Sequence, residues 1–179
     1  LDLLLPMIRP EAEPTTLNSE KSGRILASAL NVFATKGYQN ATIQEISKSA
    51  EVSEGTIYEY FKNKEDLLFS ILERQFRNNL DSLDELFEVR APLRKLKRFI
   101  RYHFTIYLSQ PVFVKIFLFD AIYNAHFYSS NAYPPFKNYI ESVYKILDEG
   151  KNDGSIRPEI NNRLFRQLFM GNFSHLAIR

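Results

Sequence analysis

The chain has 179 residues, of which 45% are hydrophobic and 25% charged, and its formal net charge is +2. These values are ordinary for a globular protein and neither favour nor exclude an anionic partner. The absence of cysteine excludes disulfides and thiolate metal sites and fits a reducing cytoplasm. No apolar run reaches the roughly 18 residues that a membrane span needs, so no membrane partner is predicted.

The first part of the chain predicts an arm followed by short helices. Residues 1–18 carry three prolines and little apolar periodicity, which indicates a flexible arm. From Ser19 apolar residues recur every three or four positions as far as Gly37, a left-handed cap signal that ends the first helix. Thr42 and Glu45 then form a T-x-x-E capping box that begins a short second helix.

The third predicted helix follows a three-residue turn and begins after Ser53, a favourable N-cap. Two short helices joined by such a turn and braced by a preceding helix form the helix-turn-helix plan, whose second helix enters the DNA major groove. Within that helix Ile57 and Phe61 fall on one side, four residues apart. Tyr58 therefore points outward, and the glycine at Gly55 lets the helix approach DNA closely.

The stretch "TIQEISKSAEVSEGTIYEYFKNKEDLL" (residues 42–68) resembles the DNA-binding head of TetR-family regulators. The resemblance implies an all-α fold with a helix-turn-helix head, here residues 19–66, and an antiparallel helical body for ligand binding and dimerisation, here residues 67–179. Two positions depart from the family pattern, because Glu51 replaces a glycine in the turn and Ser47 an alanine. The DNA-binding residues that the resemblance implies are Thr42, Ser53, Glu54, Gly55, Thr56, Tyr58, Tyr60 and Lys64.

The body is predicted to contain five further helices. Their approximate ranges are 64–89, 92–109, 111–127, 135–149 and 161 onward, with Gly150 closing the fourth of them. TetR-like dimers pair their last two long helices, yet the chain stops at Arg179 inside the last predicted helix. We therefore expect a ninth helix to be missing from this sequence. The apolar side chains predicted to form a homodimer interface are Leu164, Phe165, Leu168, Phe169, Phe173 and Leu176.

The many aromatic residues of the body are typical of a core, and they also suit a pocket for a mostly apolar ligand. The stretch "LDEGKNDGSIRPEINNRLFRQLFMGNF" (residues 147–173) resembles TetR-type regulators of fatty-acid metabolism, which suggests a fatty acid or fatty acyl-CoA. Arginines on the fifth helix would bind the phosphates of coenzyme A, and a drug-like apolar compound is the alternative ligand. The candidate ligand-binding residues are Arg98, Arg101, Tyr102, Phe104, Phe117, Asp120, Tyr123, Tyr139 and Phe169.

The predicted function is a ligand-responsive transcriptional regulator, with repression favoured, that binds operator DNA as a cytoplasmic homodimer and is released by a small apolar effector. An enzyme is not predicted, because the sequence has neither a glycine-rich phosphate loop nor a G-x-S-x-G motif. Its three histidines lie on separate predicted helices, so no metal and no cofactor are predicted. The alternative is an all-α interaction module or enzyme whose head only resembles a helix-turn-helix.

Overall fold

The computed structural model describes residues 14–86 and 88–177, and all regular structure in these ranges is helical. The α-helices are Pro14–Lys36 (α1), Ile43–Ala50 (α2), Glu54–Tyr60 (α3), Lys64–Leu86 (α4), Pro92–Ser109 (α5), Pro111–Ile116 (α6), Tyr133–Asn152 (α7) and Asn162–Ala177 (α8). A π-helical turn, Phe117–Ala121, follows α6, and a 3-10 helix, Ala125–Ser129, precedes α7. The predicted all-α class with a helix-turn-helix head is confirmed.

Helix α1 begins earlier than the sequence pattern predicts. Its first residue is Pro14 rather than Ser19, so residues 14–18 of the predicted arm are helical. Proline is well suited to a first helical position, because its φ angle is already fixed and the N–H that it lacks would have no helical partner. The rest of the predicted arm, residues 1–13, lies outside the described part of the chain.

The turn between α2 and α3 carries the predicted caps. The Thr42 hydroxyl accepts the Glu45 N–H at 3.2 Å, and the Glu45 carboxylate accepts the Thr42 N–H at 3.2 Å, so the capping box is closed. Glu51 ends α2 in the left-handed conformation, with φ 54° and ψ 46°, which costs about 1 kcal/mol for a residue with a Cβ. The turn offsets this cost with a hydrogen bond from the Val52 N–H to the Ser47 carbonyl at 3.0 Å.

The head is held together by side chains that are almost completely buried. Ile25 and Phe33 of α1, Ile46 of α2 and Ile57 of α3 are each at most 1% exposed. They pack into the same apolar core as Leu68 of α4, which runs on into the body. The recognition helix α3 therefore sits on a rigid platform that is continuous with α4.

The body is built on α4, α5 and α7, with α8 packed against α7 and α6. Phe99 of α5 and Val143 of α7 are fully buried between these helices. Lys95 of α5 also forms an ion pair of 2.5 Å with Glu149 of α7. Burial of aromatic and aliphatic side chains is the main stabilising contribution, at about 1.5–3 kcal/mol for each such side chain.

A sharp corner separates α5 from α6. Pro111 disfavours the helical conformation at the residue before it, and Gln110 accordingly has φ −130° and ψ 51°. The two helical segments that meet there are bent by 93°. Among the described residues no single helix has the length and apolar composition to cross a membrane, and this bent pair meets the test only when its segments are combined.

The predicted sixth helix, residues 111–127, is divided into three pieces. Its α-helical part ends at Ile116, and the Ile122 N–H then bonds to the Phe117 carbonyl at 2.9 Å, five residues back. At Asn124 the backbone becomes extended, with ψ 121°, and the Asn124 side chain accepts the His126 N–H at 2.9 Å. This local bond is the physical reason for the break, since asparagine side chains stabilise turns in competition with helix.

Helix α7 runs past Gly150, which the sequence pattern places after its end. Gly150 is helical and buried, and a Cβ at this position would lie 2.5 Å from Cδ1 of Ile156. The glycine is required because the chain folds back and packs Ile156 directly onto the helix. The left-handed glycine is Gly154 instead, with φ 77°. The predicted ninth helix would follow Arg179 and lies outside the described residues.

Candidate nucleic-acid interface and internal cavity

Helix α3 has a buried side and an exposed side, as its sequence predicts. Ile57 is fully buried and Phe61 is 6% exposed, so these two residues hold the helix against the head. On the opposite side Tyr58 is 54% exposed. Glu54 and Gly55 are exposed beside it, while Thr56 and Tyr60 are half-buried at the edges. This surface, the exposed side of α3 together with Ser53 and Thr42, is called the recognition face below.

The N-terminal end of α3 is capped in a way that leaves the recognition face open. The Ser53 hydroxyl accepts the Thr56 N–H at 3.0 Å and lies 3.0 Å from the Thr56 hydroxyl. A Cβ at Gly55 would meet only the Ser53 hydroxyl, at 3.6 Å, so the protein itself does not require a glycine there. The missing side chain leaves the backbone open to close approach from outside the helix.

Tyr60 and Thr42 are fixed by bonds within the head. The Tyr60 hydroxyl donates to the side-chain oxygen of Asn18, which ties α3 to the start of α1. Thr42 is exposed while its hydroxyl caps α2. Hydrogen bonds to the Glu45 carboxylate, chiefly from Lys36 and then from Thr42, lower the pKa of this carboxyl. Both predicted DNA-binding side chains are thus pre-positioned at the recognition face.

Lys64 lies at the start of α4. The family resemblance implies that it binds DNA, but in this structure it binds carbonyl groups of the head. Its ammonium donates to the carbonyl oxygens of Tyr38, Gln39 and Ala41, at 2.9, 3.1 and 3.0 Å. The ammonium also lies 4.7 Å from the centre of the Tyr38 ring. Because an ammonium has three N–H donors, all of them are used inside the head and none remains for a phosphate.

Next to Lys64, Glu65 links the head to the body. The Asn124 amide donates to one oxygen of the Glu65 carboxylate at 2.7 Å, and Nδ1 of His126 lies 3.0 Å from the other. These contacts, led by the Asn124 hydrogen bond, lower the pKa of Glu65. Burial, and then the nearby charges of Glu65 and Asp120, raise the pKa of Tyr38 in the α1–α2 loop. The contacts of Glu65 with Asn124 and His126 are called the junction below.

The body encloses a cavity of about 220 Å³ between α4, α5, α6, α7 and α8. One side is an aromatic cluster in which the Phe76 ring lies 5.2–5.5 Å from the rings of Phe113, Phe117 and Phe136. The residues of α8 that line the cavity include Arg166, whose guanidinium lies 5.5 Å from the centre of the Tyr144 ring. Cavities with apolar walls and a few polar groups are typical of small-molecule sites.

The polar groups of the cavity wall are uncharged apart from Arg166. Nδ1 of His103 lies 2.7 Å from the Tyr139 hydroxyl, and the two rings are stacked. Burial lowers the pKa of His103 to about 4 and raises that of Tyr139, so both are neutral near pH 7. Asn79 of α4 adds a buried amide to the same cavity. No aspartate or glutamate is present among the described lining residues, and no cluster that could hold a metal occurs in the described ranges.

Two of the predicted ligand-binding residues, Phe117 and Tyr139, line the cavity. Two more support its wall without lining it. The Tyr102 hydroxyl bonds to the Asn79 side chain at 3.4 Å, and the Phe169 ring lies 5.1 Å from that of His103. The sequence analysis missed His103 and Asn79, although a polar residue recurring on an apolar helical face is a usable signal for such sites.

The remaining candidates lie elsewhere. Arg98, Arg101 and Phe104 are exposed, because they follow one another at three-residue steps on the outer side of α5. Tyr123 is 88% exposed after the π-helical turn. Asp120 faces the head, where burial raises its pKa. The cation in the cavity wall is Arg166 of α8, which the sequence analysis did not single out.

Helix α8 divides its apolar residues between two sides. Leu164 and Leu168 are 53% and 58% exposed, which suits the predicted dimer interface. Phe165 and Phe169 instead pack against the core, so they contribute to the body rather than to an outer surface. The other two predicted interface side chains, of Phe173 and Leu176, lie outside the described residues.

Residues 25–71 match the family model of bacterial regulatory proteins, tetR family. Over 149 residues the chain is 29% identical to the fatty acid metabolism regulator protein of Bacillus subtilis (strain 168), which covers 83% of this chain and 77% of that protein. The chain belongs to the TetR family. This match confirms the resemblance to the TetR family that was predicted from residues 42–68.

Solved structures extend the TetR-family likeness to the body. The crystal structure of the transcriptional regulator FadR from Bacillus subtilis in complex with stearoyl-CoA matches with a TM-score of 0.78 and 28% identity, over 87% of this chain and 84% of that one. FadR from Bacillus halodurans, a fatty acid degradation regulator, also gives 0.78 and 28%, over 88% and 82%. This TetR-family chain is a DNA-binding transcriptional regulator and not an enzyme or an unrelated helical module.

Proposed function

We propose that this TetR-family regulator represses transcription as a homodimer and leaves its operator when a fatty acyl-CoA enters the cavity of the body. The observation that carries the proposal is the cavity itself, with its cluster of four phenylalanines and an arginine in the wall. A fatty acid metabolism regulator and a fatty acid degradation regulator match most of the chain, and the similar transcriptional regulator FadR from Bacillus subtilis was crystallised with stearoyl-CoA. We place the activity in the cytoplasm, where operator DNA is found.

The cavity favours an acyl ligand over the alternative of a cationic drug-like compound. A hydrocarbon chain gains about 0.8 kcal/mol for every methylene that leaves water, and the aromatic cluster supplies the apolar surroundings. A cationic ligand would need a carboxylate, and the described lining residues contain none. Arg166 replaces the predicted Arg98 and Arg101 as the cation for the anionic part of the effector.

The recognition face supplies the DNA contacts in this proposal. Tyr58, Gly55 and Glu54 are exposed on a helix whose other side is fully buried, so they can enter a major groove without loss of packing. A dimer binds two such grooves only when its recognition helices are about 34–36 Å apart. The exposed Leu164 and Leu168 of α8 are the described residues that we assign to the dimer interface.

The junction provides the connection between cavity and DNA in the proposed mechanism. Phe117 and Ile122, at the two ends of the π-helical turn, line the cavity, and Asn124 follows immediately. An effector that moves this segment moves the groups that hold Glu65, and through α4 it changes the separation of the two heads. The effector thus favours a spacing that does not fit two successive grooves, which is a population shift between two states.

Operator release by acyl-CoAs of increasing chain length tests the effector class. Fluorescence anisotropy of labelled upstream DNA should show release that strengthens by up to about 0.8 kcal/mol per methylene until the cavity is full. A flat response to chain length, together with release by a cationic dye, would contradict the proposal and favour the drug-like alternative.

Substitution of Tyr58 tests the recognition face. Tyr58→Ala should weaken operator binding about tenfold or more, because one specific base contact contributes about 1–3 kcal/mol. The melting temperature should stay unchanged, since the side chain is more than half exposed. Tyr123→Ala, which removes an exposed tyrosine of the body, is the matched control and should bind DNA normally. Equal operator affinity of both variants would rule out the assigned face.

A further inference from the structure

Asn79 is a buried amide in the cavity wall that uses only part of its hydrogen-bonding capacity. Its side chain is 3% exposed. The side-chain oxygen accepts from the Gln75 amide at 3.2 Å and from the Tyr102 hydroxyl at 3.4 Å. The amide nitrogen donates to none of the residues that the structure describes. Because these two bonds occupy the oxygen and Asn79 lines the cavity, the nitrogen is the atom available to a molecule there.

Among the described residues, the fully buried side-chain atoms without a partner are Oε1 of Gln110 and Oδ1 of Asn162, so the Asn79 nitrogen keeps some accessible surface, which the cavity provides. A donor that is open to a cavity and bonds no protein group is available to a ligand. Another polar pair of the wall, the partly buried His103 and the buried Tyr139, bond to each other across 2.7 Å. Asn79 is therefore the buried group that has an N–H to offer to a molecule inside the cavity.

The groups around Asn79 indicate the chemical class of that molecule. One turn earlier on α4 lies Phe76, the centre of the aromatic cluster. A ligand whose acceptor oxygen bonds to Asn79 can therefore place a hydrocarbon chain next to this aromatic cluster. Arg166, on the opposite helix α8, supplies a positive charge for an anionic group of the same ligand.

We infer that Asn79 recognises the effector by donating a hydrogen bond to the carbonyl oxygen of its acyl group, while the hydrocarbon chain lies against Phe76, Phe117 and Phe136. The inference rests on the proposed function, because it names the atom of the acyl effector that the Asn79 amide recognises. It also predicts a specificity that apolar walls alone do not provide. A site that is built to bond an oxygen discriminates strongly against an analogue without it, because its own polar group is then left unpaired.

Two ligands that differ only in this oxygen test the inference. Palmitoyl-CoA has the thioester carbonyl, and S-hexadecyl-CoA has a methylene in its place. Isothermal titration of the wild-type protein should show binding of the thioester about tenfold or more tighter than that of the thioether. Asn79→Leu, which removes the donor, should bind both ligands with the same affinity. Tyr123→Ala, at an exposed position that does not line the cavity, is the control and should keep the wild-type preference.

The ratio of the two affinities separates recognition from a structural role, because a purely structural defect weakens the binding of both ligands alike. Asn79→Leu also removes the acceptor of the Gln75 and Tyr102 bonds, so its melting temperature without ligand should fall, and Asn79→Ala is the second variant in case leucine does not fit. Equal binding of both ligands by the wild type would overturn the inference and leave the proposed effector class intact. Preference for the thioester in the Asn79 variants would also overturn it. If neither coenzyme A compound binds the wild type, the proposed function fails and the inference fails with it.

Discussion

The Asn124 amide donates a hydrogen bond to the Glu65 carboxylate across 2.7 Å, and so joins the segment after the π-helical turn to the first turn of α4. Asn124 lies two residues after Ile122, which lines the cavity. Glu65 lies four residues after Phe61, which anchors the recognition helix in the core. The wall of the proposed effector cavity and the platform of the DNA-binding helix are thus connected by the junction, in addition to the helix α4 that they share.

Glu65→Ala should separate effector binding from operator release. The variant should bind operator DNA with nearly wild-type affinity, because Glu65 faces the body and not the recognition face. Release by palmitoyl-CoA should need about two- to thirtyfold more effector, which corresponds to a lost coupling of about 0.5–2 kcal/mol. Anisotropy titrations measure both quantities. Glu73→Ala, which removes an exposed ion pair with Arg77 on the same helix, is the control. Wild-type release by Glu65→Ala would show that the junction does not transmit the signal.

Gly55→Ala should have opposite effects on stability and on DNA binding. The added Cβ meets only the Ser53 hydroxyl, at an ordinary contact distance of 3.6 Å, so the fold accepts it. Alanine favours a helix by up to about 1 kcal/mol over glycine, and the melting temperature should rise. Operator affinity should fall, because the methyl group blocks close approach of DNA to the backbone. A variant that is more stable and binds DNA as well as the wild type would refute the role assigned to Gly55.

Lys64→Met should destabilise the head rather than remove a phosphate contact. The variant leaves the carbonyls of Tyr38, Gln39 and Ala41 without their donor, which should lower the melting temperature. The slope of operator affinity against salt concentration should stay the same, because no counterion is released at this side chain. The exposed neighbour Lys62 is the comparison, and Lys62→Met should leave the melting temperature unchanged. A flatter salt slope in Lys64→Met, at wild-type stability, would restore the phosphate contact that the family resemblance implies.

The head was predictable because its signals are local. The capping box of Thr42 and Glu45 and the N-cap at Ser53 each depend on residues within four positions of one another. All of the interacting groups lie in one short stretch of sequence, and helix caps restrict the backbone strongly. The exposed position of Tyr58 follows from the same short-range periodicity.

The body was harder to predict because its decisive contacts are distant in sequence. The sequence pattern predicts a helix end at Gly150. In the structure Gly150 lies inside α7, and a glycine is needed there because Ile156 packs onto it. Arg98 reads as a ligand cation, yet Arg166 of α8 faces the cavity. The carbonyl groups that bind the Lys64 ammonium lie in the α1–α2 loop, more than 20 residues earlier in the chain. Such choices depend on tertiary packing, which overrides the local preference at each position.

The partly buried His103 makes stability depend on pH. Burial lowers its pKa in the folded protein from the ordinary 6.5 to about 4. Between these values the unfolded chain binds a proton that the folded chain does not, so stability rises with pH in this range. Stability is therefore fully present above pH 6.5 and falls as the pH decreases towards 4.

Acidification from pH 7 to pH 5 should lower the free energy of unfolding by about 2 kcal/mol through this group alone, since each pKa unit corresponds to about 1.4 kcal/mol. Urea titrations of the wild type and of His103→Gln at both pH values measure the effect, because glutamine keeps a polar partner for Tyr139 and does not titrate. The wild type should lose about 2 kcal/mol more than the variant. Glu65, whose lowered pKa also makes stability fall in acid, is present in both proteins and cancels in the comparison. Equal losses in the two proteins would mean that His103 is protonated in the folded cavity at pH 5 and is not held neutral by burial.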